Sequence, residues 1–170
     1  MGERKLVIDH LKFSYEGLFN VSEFYALISS WFFEKGWDWN EKMNQEQITP
    51  EGKQIRLILE PWKSVSDYYK LIMHLKINFI DVKDVEVEHN TETLRLNQGV
   101  IRMTFDGYVL SDRQSEWTTK PFRWFMSVLF DKYLFKDHFA KFETWIKSDV
   151  DDLHTKIKNY LNVFKYTYHV

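Results

Sequence analysis

The spacing of apolar residues changes several times along the chain, and each change marks the boundary of a predicted element. Apolar and polar residues alternate over 5–16, which predicts a β-strand. Over 21–35 the apolar residues recur at intervals of three and four, which predicts an amphipathic helix. Alternation returns over 38–111 and predicts a series of strands, whereas helical spacing over 121–135 and 138–165 predicts two closing helices.

The ends of the first predicted helix carry the strongest local signals in the chain. Asn20 can cap its start, and Glu23, three residues later, can complete a capping box. Gly36 stands where a helix commonly ends, because glycine adopts a left-handed backbone conformation without strain. The segment Trp37-Asp38-Trp39 that follows matches no sequence signature and is assigned no role.

The strands predicted over 38–111 are joined by short turns. This favours an antiparallel meander, because parallel pairing would need crossover helices. The closing helix at 138–165 has an apolar stripe opposite the acid–base pairs Glu143/Lys147 and Asp152/Lys156. We therefore predict an α+β fold in a single domain over 1–170. A curved antiparallel sheet of five or six strands has one helix after its first strand, and a long C-terminal helix packs on the sheet.

Three places in the predicted strands depart from simple alternation. Residues 81–84 break the register and predict a bulge or bend. Residues 97–99, Asn-Gln-Gly, predict a turn between two separate strands. Asp9 and His10 are neighbours in the first strand, where consecutive side chains point to opposite faces, so no direct dyad between them is expected.

Composition removes several classes of chemistry. The 170 residues include no cysteine, which excludes disulfide scaffolds, zinc–thiolate and iron–sulfur sites and thiol nucleophiles. A net charge of −2 without a long run of Lys or Arg makes nucleic acid an unfavoured partner. The sequence has no phosphate-binding loop and no paired histidine motif, so no catalytic residue, metal or cofactor is predicted and an enzyme is disfavoured. With no signal-peptide pattern, the expected location is cytoplasmic.

The order of strand, helix, antiparallel meander and long C-terminal helix resembles the helix-grip fold of START-like and birch-pollen-allergen-like proteins. In those proteins a curved sheet wraps the long helix and leaves an apolar cavity between them. The resemblance covers most of the chain and rests on element order. It departs in having one helix after the first strand, where those folds usually have two, and an added helix at 121–135. It implies a site for a hydrophobic ligand.

Aromatic residues form 18% of the chain, which is more apolar surface than an ordinary core requires. The leading hypothesis is a non-enzymatic binding protein that takes a lipid or another hydrophobic molecule between sheet and helix. The residues predicted to line this cavity are Leu57, Leu71, Met73, Leu75, Met103 and Phe105 on the sheet and Phe142, Ile146 and Leu153 on the helix.

The nearly all-apolar segment 121–135 leaves three alternatives open: core, protein interface, or a helix lying on a membrane surface. Its polar stripe is thin, so peripheral membrane contact is not favoured. The alternative function is accordingly an assembly module that forms a homodimer or docks on a partner. The candidate interface residues are Phe122, Trp124, Phe125, Phe130 and Phe135. A third hypothesis is an enzyme of the helix-grip type, for which His74 and Glu60 are the residues to test.

Overall fold

The computed structural model describes residues 3–66, 69–111 and 135–167 and shows an α+β fold. An open antiparallel sheet of 6 strands combines with a helix after the first strand and a C-terminal helix, as predicted. In chain order the elements are β1 (Glu3–Phe19), α1 (Val21–Glu34), β2 (Glu41–Thr49), β3 (Gly52–Leu59), β4 (Trp62–Ser64), β5 (Tyr69–His89), β6 (Glu92–Ser111) and α2 (Phe135–Thr167).

The sheet brings the first strand beside the last. Its strand order is β1-β6-β5-β3-β2, and the short β4 pairs with the start of β5. Every pairing is antiparallel, which is the arrangement that short connections favour. β5 and β6 therefore form the centre of the sheet, and β1 and β2 are its edges.

One face of the sheet is buried by the two helices. Every second residue of β5 from Tyr69 to Phe79 is buried, whereas the residues between them are only partly buried. This is the alternation expected of a sheet with one packed face. α2 presents a continuous apolar stripe to that face and, with α1, closes the main core cluster, and its Phe164 belongs to a second, smaller cluster. The buried residues of the α2 stripe are Phe142, Ile146, Val150, Leu153, Ile157, Leu161 and Phe164.

β5 contains the bulge that was predicted over 81–84. Its pairing with β6 changes register between Ile80 and Lys83, and Asp81 has a φ of 54°. The turn predicted at 97–99, however, is wrong. Asn97 and Gln98 pair with β1 on one side and β5 on the other, so β6 continues through them without a break. Pairing on both sides overrides the local turn preference of these residues.

α1 begins and ends where the sequence predicts. The Asn20 side-chain oxygen accepts a hydrogen bond from the Glu23 backbone N–H at 3.1 Å, and Gly36 has a φ of 77°. α2 contacts the start of α1 through the Tyr160 hydroxyl, which lies 3.3 Å from the Asn20 carbonyl oxygen and 3.2 Å from a Glu23 carboxylate oxygen. Burial and the nearby Glu23 carboxylate raise the pKa of Tyr160 well above its ordinary value. The hydroxyl therefore stays protonated at this junction.

Carboxylates on α2 bind two tryptophans of the α1 region. The Trp31 indole N–H donates to Asp152 at 2.8 Å, and the Trp37 indole N–H donates to Asp149 at 3.0 Å. Asp152 also lies 3.7 Å from the Lys35 ammonium group. The pair Glu143/Lys147 forms at 2.8 Å as predicted, but the hydrogen bond and ion pair that Asp152 makes are directed to α1 rather than to its own helix.

Candidate functional site

The nine residues predicted to line a sheet–helix cavity all lie in the interior. Each is buried, with an exposed fraction of 5% or less, and all belong to the core cluster between the sheet and the two helices. The side chains from the sheet and those from α2 thus meet within one packed layer. Whether they also surround a ligand stays a prediction. None of them lines the pocket at the end of α1 that is described below, or a second pocket on the surface of β2, β3 and β5.

The candidate interface residues fall outside the described part of the chain. Phe122, Trp124, Phe125 and Phe130 lie between the described ranges 69–111 and 135–167, and Phe135 is described only as the backbone start of α2. The predicted helix at 121–135 and the assembly hypothesis that depends on it therefore stay predictions.

A pocket of about 680 Å³ lies at the C-terminal end of α1. Its volume is within the range of small-molecule sites in proteins. Four of its lining residues are aromatic and two carry carboxylates, whereas the remaining two are serines of α1. The lining residues are Tyr25, Ser29, Ser30, Phe33, Glu34, Trp37, Asp38 and Trp39.

The pocket exists because the chain reverses at Gly36. The positive φ of this residue lets the Trp37 backbone N–H donate to the Phe32 carbonyl oxygen at 2.8 Å. Asp38 then pairs with Trp62 of β4 through two backbone hydrogen bonds of 2.8 and 3.2 Å. The segment that carries both pocket tryptophans is therefore fixed between α1 and the sheet.

The aromatic walls are held by specific contacts. The Trp37 indole N–H is bonded to Asp149, as described above. Trp39 makes edge-to-face contacts with Tyr25 at 5.6 Å and with the buried Phe32 at 6.0 Å between ring centroids. Burial and the 2.9 Å hydrogen bond from its hydroxyl to Glu41 raise the pKa of Tyr25. Three of the four aromatic rings are thus preorganised.

Phe33 completes the pocket from the solvent side. Its side chain is 85% exposed, although it is a large apolar group on an otherwise well-packed helix. Single exposed apolar residues are common on protein surfaces, but Phe33 lines a pocket together with three other aromatic residues. It adds apolar area that a bound molecule could bury.

The charge of the pocket is negative. No ion pair or hydrogen bond of the Glu34 and Asp38 carboxylates is present among the described residues. No basic residue is among those that line the pocket. Of the basic residues beside it, Lys35 approaches Asp152, and the Lys63 ammonium group donates to the Lys35 carbonyl oxygen at 2.8 Å. The two carboxylates therefore give the pocket lining a net negative charge.

A second polar feature lies at a bulge in β1. Register shifts on both sides of Ile8 and a φ of 52° at His10 interrupt the alternation of side chains. Asp9 and His10 consequently turn to the same side, with 3.7 Å between a carboxylate oxygen and the ring Nδ1. The prediction that they point to opposite faces is wrong, because a bulge reverses the direction of the residues that follow it.

Asp106 of β6 accounts for the conformation at this bulge. Its side chain is only 7% exposed, and the same oxygen is 2.7 Å from both the backbone nitrogen and the ring Nδ1 of His10. The ligand atoms of Asp9, His10 and Asp106 lie within 4.8 Å of one another, close enough to share a divalent cation. The hydrogen bonds to His10, however, already satisfy the buried carboxylate and explain its place in the fold. His74, the predicted polar candidate, is the β5 partner of Asp106.

The residues of the aromatic pocket were not recognised from the sequence. Three aromatic and two acidic residues within 33–39, on both sides of a helix-ending glycine, were the available signal. Such a cluster indicates a site only when the reversal is known to bring its members to one concave surface.

Within the described ranges, neither helix is long and apolar enough to span a membrane. Comparison with known proteins gives no match to a family model, to a curated protein or to a solved structure.

Proposed function

We propose that this chain is a non-enzymatic binding protein that takes a small molecule with an aromatic or other apolar body in the pocket at the end of α1. The observation that supports this most directly is the pocket itself: about 680 Å³, with four aromatic side chains around it. Because Tyr25, Trp37 and Trp39 are already fixed by their own contacts, a ligand would not have to order them.

The pocket suits a ligand better than the sheet–helix interior does. A molecule between the sheet and α2 would have to separate side chains such as Met73 and Ile146, both fully buried. Separating them would sacrifice close packing, and each lost methylene contact is unfavourable. The pocket is open, so a molecule can enter it without displacing the core.

Binding also suits the lining residues better than catalysis. The Ser29 hydroxyl donates to the Ala26 carbonyl oxygen, as expected of a helix serine, and no histidine is among the residues that line the pocket. A serine nucleophile needs an adjacent base to activate it. The arrangement supplies apolar surface and charge, which are the properties of a recognition site.

The proposal is tested by nuclear magnetic resonance with tryptophol, a neutral indole alcohol, as the probe. The indole N–H signals of Trp37 and Trp39, assigned with Trp→Phe variants, report on the pocket, and the methyl signals of Met73 and Met103 report on the interior. We expect tryptophol to shift the two indole signals in a saturable manner and to leave the methionine methyls unchanged.

Two matched variants localise the site. Ser30→Trp places a large side chain at the pocket and should abolish the shifts, whereas Thr155→Trp makes the same kind of change at an exposed position of α2 outside the pocket. Shifts confined to the methionine methyls would move the site to the predicted interior cavity. Absence of saturable shifts at both places, with tryptophol and with the charged indole compounds introduced below, would refute a small-molecule function for either region.

A further inference from the structure

We infer that the molecule bound in the pocket at the C-terminal end of α1 (the α1 pocket) is an organic cation, with an ammonium or similar charged group attached to an apolar body. This inference deepens the proposed function and rests on it. The geometry that points to it is the coincidence of two carboxylates without partners, those of Glu34 and Asp38, with four aromatic side chains around one concave space.

The residues that line the pocket carry two carboxylates and no basic group. Lys35 and Lys63 lie beside the pocket; Lys35 approaches Asp152, and Lys63 donates to the C-terminal end of α1, where the helix dipole is negative. Glu41, which lies outside the pocket lining, accepts a hydrogen bond from the Tyr25 hydroxyl. The local field therefore favours a cation, and like-charge repulsion disfavours an anionic ligand.

The aromatic residues of the pocket favour a cation independently of the carboxylates. The faces of tryptophan, tyrosine and phenylalanine carry partial negative charge, so they attract cations, and tryptophan does so most strongly. Trp39, Tyr25 and Phe33 supply most of the accessible aromatic surface, whereas Trp37, also among the lining residues, is 4% exposed. A neutral apolar ligand would use these rings but would leave both carboxylates without a partner. A cationic ligand uses both kinds of group.

Three indole compounds that differ in one substituent separate these contributions. Tryptamine is an ammonium ion at neutral pH, tryptophol has a hydroxyl group in place of the ammonium group, and indole-3-propionate is an anion with the same ring. We expect tryptamine to bind about tenfold more tightly than tryptophol. This is the ratio of affinities expected when the free energies of one exposed ion pair and one cation–π contact are added. Indole-3-propionate should bind most weakly.

Variants test whether the preference arises at these two carboxylates. The double variant Glu34→Gln, Asp38→Asn removes the charges while keeping the side-chain shapes, and should reduce the preference for tryptamine over tryptophol from about tenfold to about threefold, the share that the cation–π contact alone contributes. The matched control Glu86→Gln, Glu88→Gln makes the same change in net charge on the exposed β5–β6 hairpin. It should retain the preference. Both variants change exposed side chains, and circular dichroism checks that they fold.

The outcomes distinguish this inference from the proposed function. Equal affinities for tryptamine and tryptophol, unchanged in the double variant and in high salt, would overturn the inference and leave the pocket as a site for neutral ligands. Failure of all three compounds to shift the Trp37 and Trp39 signals would overturn both. If the double variant fails to fold, the salt dependence decides: added salt should weaken tryptamine binding more than tryptophol binding, because it screens exposed charges.

Discussion

The bend in the sheet gives a prediction whose magnitude follows from the local geometry. A Cβ added at Gly99 of β6 would lie 2.8 Å from the Ile80 carbonyl oxygen and 3.1 Å from the Val82 Cα. Both are backbone atoms of β5 at the bulge, where the chain has no freedom to withdraw without breaking its pairing. On the other side of the bulge, a Cβ added at Gly52 would likewise lie 2.9 Å from the Val82 carbonyl oxygen.

Gly107 is the matched control on the same strand. A Cβ there would meet the ends of two side chains, Ile146 Cδ1 at 3.0 Å and Ile8 Cδ1 at 3.2 Å. Side-chain ends can rotate away by a few tenths of an ångström, whereas backbone atoms of a paired strand cannot. The replacement of glycine by alanine should restrict the unfolded chain by a similar amount at both positions, so the difference between them reports on the folded state.

We expect Gly99→Ala to lower the free energy of unfolding by about 2 kcal/mol, the typical cost of overpacking, and Gly107→Ala by about 1 kcal/mol or less. In a chain of this size a loss of about 2 kcal/mol corresponds to a decrease in Tm of roughly 4–8 °C. Urea unfolding followed by tryptophan fluorescence and circular dichroism measures both variants. A cost at Gly107 equal to or larger than that at Gly99 would refute the argument that the bulge backbone is rigid.

Two further predictions concern the contacts of α2. His154 packs edge-on against Phe13 and Phe105, and burial lowers its pKa below the ordinary value of 6.5, with Lys158 adding to the effect and Asp151 opposing it. Because the unfolded chain then binds a proton more readily than the folded one, stability should decline as the pH falls below about 6.5 and level off below the folded pKa. His154→Phe should flatten this decline in urea titrations at successive pH values, and an unchanged slope would contradict it. Asp152→Ala removes the acceptor of the buried Trp31 indole N–H and should cost about 1 kcal/mol, whereas Asp151→Ala, next to it and exposed, should change the free energy of unfolding by less than about 0.5 kcal/mol. Equal costs in thermal unfolding would show that the indole hydrogen bond contributes nothing.

The sequence by itself determined the elements whose signals are local. The cap at Asn20 and the glycine that ends α1 need only the residues beside them, and both ends were predicted correctly. The alternation along β5 marks its buried face, because a strand with one packed face must place an apolar residue at every second position. From these signals the α+β class and the C-terminal helix over the sheet followed.

Only the tertiary structure decided the features in which distant segments meet. Asn97 and Gln98 favour a turn locally, but pairing with two neighbouring strands keeps them extended. The bulge at His10 depends on Asp106, which is 96 residues away in the chain. The α1 pocket likewise needs the reversal at Gly36 and the pairing of Asp38 with β4 before its aromatic residues share a surface. Local preferences are small beside the free energy of pairing and packing, so contacts between distant residues decide such places.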